Sequence, residues 1–226
     1  MNAGTLGRVD PTVKGRSYKS PLREERARVT RRRVLDAAVR LFLASGYGGT
    51  TMKAVAEAAG VAPDTVFHLF SSKRGLLKEA MDVVIGGDDE DVPVLERADP
   101  QAMRQEPDQR RQLQLFAAGI TRQLERVRPM NDLLRSAAAV DPEIAALRDD
   151  LQLRQRRQGM RTVAGWLTGN AGLRDGMSTE DAAAILWTVT SPEVHRMLRV
   201  DRGWSVEQFE RWLTQSLLDM LLPPDA

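Results

Sequence analysis

The sequence predicts an all-α protein, in which a three-helix domain with a helix-turn-helix is followed by a larger helical domain. Apolar residues recur at steps of three and four along most of its 226 residues, which is the period of a helix face. Serine, threonine, aspartate, glycine and proline stand at the ends of these stretches, where helices are capped or broken. Neither strand-like alternation nor an internal repeat accompanies this pattern.

The composition indicates a protein of the cell interior. The chain contains no cysteine, which excludes disulfides and thiolate metal sites. No run of about 18 apolar residues occurs, so we expect no membrane span. It has two histidines and none of the His-Glu-x-x-His, Gly-x-Ser-x-Gly or Gly-x-x-x-x-Gly-Lys motifs. We therefore predict a cytoplasmic protein that is not an enzyme, with no catalytic site, metal or cofactor.

Charge is distributed unevenly along the chain, although the formal net charge is only +2. Residues 1–33 hold ten basic side chains against three acidic ones, and residues 86–108 hold eight acidic against two basic. We expect residues 1–21 to form a disordered basic arm and the acidic stretch to be a solvated connector. A basic segment of this kind favours a polyanionic partner.

Four helices are predicted over residues 22–86. The first begins near residue 22 and ends near Gly46, which is suited to a left-handed cap. Thr50 or Thr51 caps the second helix, and Gly60 ends it. Pro63 fits the first turn of the third, and the fourth covers about residues 73–85. Residues 51–70 would then form a helix-turn-helix, although an ordinary pair of packed helices gives the same pattern.

The second helix of such a motif lies in the major groove of DNA. Its first two turns would face the base edges with Pro63, Thr65, Phe67 and His68. Thr51 and Lys73 begin the flanking helices and are placed for phosphate contacts. Arg28 is placed to follow the adjoining backbone or the minor groove. We expect the acidic Asp64 to cap its own helix.

Residues 87–226 predict a second helical domain. A long helix should start near Asp108 and end at Pro129, followed by a shorter one through Ala139. Another should run from Pro142 to about Thr168. Ser178 and Ser205 each stand three residues before a side chain that completes a capping box. Pro192 should kink or restart the penultimate helix.

A small-molecule pocket is possible among the central helices of this second domain. Its apolar lining would be Met103, Phe116, Ile120, Met130, Leu134, Met160, Trp166 and Trp187, although each of these suits an ordinary core equally well. Four arginines form a helix face that we expect to be solvated: Arg154, Arg156, Arg157 and Arg161. His195 is assigned no role.

Residues Arg32–Asp82, RRVLDAAVRLFLASGYGGTTMKAVAEAAGVAPDTVFHLFSSKRGLLKEAMD, closely resemble the DNA-binding domain of the tetracycline-repressor (TetR) family of bacterial regulators. The matching pieces are VLDAAVRLF, SGY, TTMKAVAEAAGV and TVFHLFSSKRGLL. The segment departs from the family where many members have Ser-x-Gly-Thr, since Ala62 to Thr65 stand there. Phe67 replaces a tyrosine, and Leu69 stands where histidine is common, so relatives do not indicate the DNA sequence that is bound.

The resemblance implies a homodimer joined by its last two long helices, about residues 178–200 and 205–222. It also implies a repressor that binds a palindromic operator in double-stranded DNA and is released by a small hydrophobic effector. The alternative is an all-helical small-molecule carrier or enzyme that retains a helix-turn-helix fold. Turnover of a small molecule by the purified protein would distinguish this alternative.

Overall fold

The computed structural model describes residues 21–90, 92–170, 172–174 and 176–224, and every regular element in those ranges is helical. Most of the predicted basic arm lies outside them. The α-helices are α1 (Pro21–Gly49), α2 (Met52–Ala59), α3 (Pro63–Phe70), α4 (Lys73–Gly86), α5 (Ala98–Gln105), α6 (Gln109–Ala138), α7 (Pro142–Asp149), α8 (Arg157–Asn170), α9 (Thr179–Val189), α10 (Pro192–Arg196) and α11 (Val206–Leu221). Within the described ranges, no helix combines the length and apolar character needed to cross a bilayer.

The helix ends in the N-terminal part follow the local sequence. Gly46 breaks α1 with a φ of 69°, a backbone conformation that favours glycine. Thr51 caps α2 by accepting a hydrogen bond from the Ala54 amide at 3.1 Å, and Gly60 ends it in the left-handed conformation. Pro63 stands in the first turn of α3. The predicted start and end of α2 and the predicted start of α3 are therefore confirmed, whereas α1 is kinked at Gly46 and continues to Gly49.

Pro129 lies inside α6 and does not end it, so the predicted break at this position is wrong. Proline removes the hydrogen bond to the carbonyl four residues earlier, a loss that normally kinks or ends a helix. Here the residues on both sides are held by burial, since Val127 and Met130 are both in a core. Tertiary packing therefore outweighs the local preference.

Two hydrophobic clusters organise the chain, and α6 contributes to both. The first cluster joins α1–α4 to the C-terminal half of α6 and to Ile144 and Leu147 of α7. The second joins the N-terminal half of α6 to α5, α8, α9 and α11, with Phe209 and Leu213 fully buried. The buried core around the helix-turn-helix thus contains residues from both sides of the domain boundary that we predict near residue 86.

The C-terminal helices begin as the sequence predicts. Ser178 and Ser205 each cap a helix through a capping box, completed by Asp181 and Gln208. The penultimate helix ends at Val189 and restarts at Pro192. The sequence did not predict the short α5 within the acidic connector or the two π-helical stretches at Asp150–Arg156 and Met197–Asp201.

Candidate DNA-binding site

The turn between α2 and α3 is fixed by backbone hydrogen bonds. The Gly60 and Val61 amides donate to the carbonyls of Glu57 at 3.1 Å and Ala56 at 3.0 Å. On the inner side of α3, Val66 and Phe70 are buried in the first cluster. Because these anchors hold one face of α3 inward, its other face is presented to the solvent.

The outer face of α3 carries most of the side chains predicted to contact bases. Pro63, Phe67 and His68 are exposed, and Thr65 is half-buried. Phe67 is 49% exposed, which leaves much of an aromatic ring in water on the helix that would enter the groove. Such an exposed apolar side chain suits contact with a thymine methyl group.

The prediction that Asp64 caps α3 is wrong. The N-cap residue is Ala62, and no side chain makes the capping hydrogen bond. Asp64 is an exposed residue of the first turn, where its carboxylate is next to the positive end of the helix dipole. The residue can therefore favour the helix by charge without making the cap.

Thr51 and Lys73 already make contacts within the protein. The Thr51 hydroxyl oxygen accepts from Ala54, and its O–H remains available as a donor. The Lys73 ammonium donates to the Tyr47 carbonyl at 2.9 Å and lies 4.2 Å from the centroid of the Tyr47 ring. An ammonium group has three donors, so this contact leaves donors for a phosphate. Lys73 thus also joins the start of α4 to the end of α1.

Arg28 lies on α1 and is paired with carboxylates. Its guanidinium is 2.9 Å from Glu25 and 3.5 Å from Asp89, an almost buried residue of the segment after α4. A DNA contact by Arg28 would have to replace these pairs. The contact therefore stays a prediction.

Gly75 is a residue of this region that the sequence did not single out. It lies in the first turn of α4, and its amide donates to the Ser72 side chain, which caps that helix, at 3.0 Å. A Cβ at position 75 would stand against the backbone carbonyl of Phe70, closer than such atoms approach. Glycine is therefore required where the chain turns from α3 into α4.

The eight residues predicted to line a ligand pocket are divided between the two hydrophobic clusters. Met130 and Leu134 belong to the first cluster, and the other six to the second, namely Met103, Phe116, Ile120, Met160, Trp166 and Trp187. Leu134 also lines a cavity described below. The apolar pocket formed by all eight stays a prediction.

The sequence places Arg156 on a solvated helix face, and this prediction is wrong. Its guanidinium donates to the Trp187 carbonyl and to the Thr190 hydroxyl, the latter at 2.8 Å, and lies 5.5 Å from the Trp187 ring centroid. Burial lowers the pKa of Arg156 to about 10. Arg154, Arg157 and Arg161 are exposed or paired with nearby carboxylates, as expected for a surface.

His195 is a buried core histidine. Its Nε2 is 2.8 Å from a carboxylate oxygen of Glu125, which also accepts from Arg199 at 2.5 Å, and its ring is nearly perpendicular to that of Phe209. Burial lowers the pKa of His195, although Glu125 opposes the shift. Burial opposes the charge of Glu125 in turn, but the hydrogen bonds from Arg199 and His195 lower its pKa.

We expect the free energy of unfolding to fall as the pH decreases below about 6.5, which is the pKa of a histidine in the unfolded chain. The lowered folded-state pKa of His195 means that the unfolded state binds its proton first, so stability present above pH 6.5 is lost on acidification. His195→Gln should flatten this part of a pH series of urea titrations. His68→Gln, at the exposed histidine of α3, is the matched control for the substitution itself. Equal slopes for wild type and His195→Gln would contradict the assignment.

No group of three or more histidine, aspartate or glutamate side chains is placed to hold a metal ion in the ranges that the structure describes.

The geometry of α2 and α3 defines a helix-turn-helix protein. The two short helices are joined by a tight turn, the outer face of the second is exposed, and basic side chains lie nearby. The family model for "Bacterial regulatory proteins, tetR family" matches residues 34–80, which cover α2, α3 and parts of α1 and α4. Residues 34–80 are therefore similar to the tetR family of bacterial regulatory proteins in the segment that forms the helix-turn-helix.

Similar proteins are named as regulators of transcription. An uncharacterized regulator of Bacillus subtilis, YvkB, is 45% identical over 51 residues, which are 23% of this chain and 27% of YvkB. The transcriptional repressor KstR of Mycolicibacterium smegmatis is 41% identical over 63 residues, or 28% of this chain and 31% of KstR. The matches thus span less than a third of the length of these curated relatives.

The fold of the whole chain has counterparts among solved structures. NalD, the secondary repressor of the MexAB-OprM multidrug efflux pump in Pseudomonas aeruginosa, superimposes with a TM-score of 0.65 at 21% identity. The superposition covers 90% of this chain and all of NalD. At this identity the likeness concerns the fold, in which a helix-turn-helix domain is joined to a helical C-terminal part.

Proposed function

We propose that the protein is a dimeric transcriptional repressor that acts in the cytoplasm, binds a palindromic operator through α3, and is released by a small effector molecule. The observation that carries this proposal is the exposed outer face of α3, with Phe67 and His68 held outward by the buried Val66 and Phe70. The names of KstR and NalD as repressors support the direction of regulation. For the effector, the sequence favours a hydrophobic molecule.

The dimer would form through the last helices. Apolar side chains remain exposed there: Met197 and Val200 precede α11, and Met220 lies near its end. Trp204 and Trp212, whose ring centroids are 6.1 Å apart, line an open groove on the same part of the chain. Burial of this surface against a second copy would place two α3 helices about one DNA turn apart, ~34 Å, as a palindrome requires.

The response to the effector would pass through α4. The Arg126 side chain of α6 donates to the carbonyls of Val84 at 2.8 Å and Ile85 at 2.9 Å, and Gln123 donates to Ile85 at 3.2 Å. These contacts hold the C-terminal end of α4 to the helix that runs through both clusters. A movement of α6 would therefore change the position of α4 and the spacing of the recognition helices.

Footprinting of the protein on its own promoter region at physiological salt tests the proposal. We expect protection of two half-sites about one helical turn apart, ~34 Å between centres. The same experiment on a shuffled duplex of equal length is the control. Equal protection of both duplexes, or none, would contradict the proposal.

Lys73→Met should weaken binding to all DNA sequences and reduce the salt dependence of binding by about one unit of slope, because one phosphate contact is lost. The control is Lys78→Met on the same helix, since Lys78 is paired with Asp82 at 2.8 Å. Both variants are measured by fluorescence anisotropy across a salt series. An unchanged slope for Lys73→Met would remove Lys73 from the phosphate contacts and leave it only the contact with Tyr47.

A further inference from the structure

A cavity of about 240 Å³ lies where α6 meets α7 and α10. From α6, it is lined by Arg128, Asn131 and Arg135, which follow one another at steps of three and four and so share one face of that helix. Gln152 of the π-helical stretch and Glu193 of α10 form part of the opposite wall. The volume is below the ~300–1,000 Å³ of pockets for drug-sized ligands, so it suits a smaller molecule.

The charges that line the cavity do not balance. Four arginines and three carboxylates surround it. Each carboxylate is paired with one arginine: Arg135 with Asp132 at 3.3 Å, Arg148 with Glu193 at 3.0 Å, and Arg196 with Asp201 at 2.7 Å. These three ion pairs leave one arginine without a carboxylate. Arg128 is the remaining cation, and it forms no ion pair or hydrogen bond with the residues that the structure describes.

Two further donors of the cavity also lack partners. Arg128 is half-buried, and the side-chain amides of Asn131 and Gln152 make no hydrogen bond with any described residue. A cation that is partly withdrawn from water is stabilised by an anion with good geometry, and a guanidinium binds a carboxylate through two parallel hydrogen bonds. The unused groups of the cavity therefore match the oxygens of a carboxylate.

Apart from His195, whose Nε2 is paired with Glu125, the rest of the lining is apolar. Leu124, Leu134, Pro192 and Met197 contribute hydrocarbon surface to the same cavity. We infer that the cavity binds a small organic carboxylate, with Arg128 as its counter-charge, the amides of Asn131 and Gln152 as additional donors, and the apolar side chains around its hydrocarbon part. The inferred ligand differs from a purely hydrophobic effector in carrying a negative charge.

Binding at Arg128 would act close to the contacts that hold α4. Arg126, two residues earlier on α6, donates to the carbonyls at the end of α4. A carboxylate that bridges Arg128 to Gln152 would draw α6 towards the π-helical stretch and change those contacts. This regulatory consequence rests on the proposed function, whereas the binding site does not.

Isothermal titration of the full chain with hexanoate and with benzoate, each beside its uncharged primary amide, tests the binding site. We expect the protein to bind at least one of the two carboxylates more tightly than its amide. Arg128→Gln should lower the affinity for that carboxylate by about tenfold or more, because a hydrogen bond to a charged group is lost. The affinity for the amide should not change. Arg128→Lys keeps the charge without the fork and should restore part of the affinity.

Arg122→Gln is the matched control, because Arg122 lies on the same helix but is exposed and paired with Asp99 at 2.6 Å. It should bind the carboxylates as the wild type does. The inference is overturned if the folded wild type binds neither carboxylate, or if Arg128→Gln binds both as the wild type does. Footprinting without any carboxylate reports separately on the proposed function, so the failure of one is distinguishable from the failure of the other.

Discussion

Gly75→Ala is expected to destabilise the protein by about 2–3 kcal/mol and to remove specific DNA binding. The new Cβ would press on the Phe70 carbonyl, which belongs to the last residue of α3. Neither side can yield easily, because Phe70 is anchored in the first cluster and Leu76 and Leu77 anchor α4 there. The contact would be relieved only if α3 moved relative to α4, and α3 is the helix that carries the predicted base contacts.

Gly165→Ala is the matched control for this substitution. Gly165 is exposed on α8, and a Cβ there would meet nothing within 4 Å. Since alanine is the better helix former, we expect a gain of about 0.5–1 kcal/mol. Urea titration and operator binding measure both variants. If Gly75→Ala retained wild-type stability and affinity, the α3–α4 turn would not be as constrained as the structure indicates.

The sequence predicted helix ends best where they depend on the residues next to them. Thr51, Gly60 and Pro63 define their boundaries through a cap, a positive φ and a fixed φ, and each effect acts within one turn of helix. The capping boxes at Ser178 and Ser205 are of the same kind. Local chemistry therefore sufficed for the helix-turn-helix and for the start of the last two long helices.

Prediction failed where distant packing decides the outcome. Pro129 continues a helix because residues on both sides of it are buried against α1–α4, which no local pattern shows. Arg156 was assigned to a solvated face, but it turns inward to Trp187 and Thr190, residues more than 30 positions away in the sequence. The requirement for glycine at position 75 depends on a carbonyl of the preceding helix.

The cavity at Arg128 could not be predicted for a related reason. The spacing of Arg128, Asn131 and Arg135 places them on one face of α6, which the sequence allows one to state. Which arginines pair with carboxylates is decided by α7 and α10, since Arg148 meets Glu193 across 45 residues of chain. An unpaired cation is identified only after the other ion pairs are known.

Phe209→Ala should lower the free energy of unfolding by about 3–5 kcal/mol. Phe209 is fully buried in the second cluster, where its ring meets His195 edge-on at 4.8 Å and Trp212 at 5.8 Å. Its removal leaves a cavity between α10 and α11 that the surrounding helices can fill only in part. Urea titration measures the loss, and a decrease below about 1 kcal/mol would show that the cluster repacks around the smaller side chain.

Phe67→Ala removes the same type of side chain from α3. It should reduce operator affinity and leave the free energy of unfolding almost unchanged. Because Phe67 is 49% exposed, its loss should change the free energy of unfolding by no more than about 0.5 kcal/mol. Covering the exposed half of the ring against DNA contributes about 1 kcal/mol, so operator affinity should fall roughly fivefold. Loss of stability without loss of affinity in this variant would mean that Phe67 supports the fold of α3 and does not contact DNA. The two phenylalanines thus separate the core that holds the helices from the surface that would bind the operator.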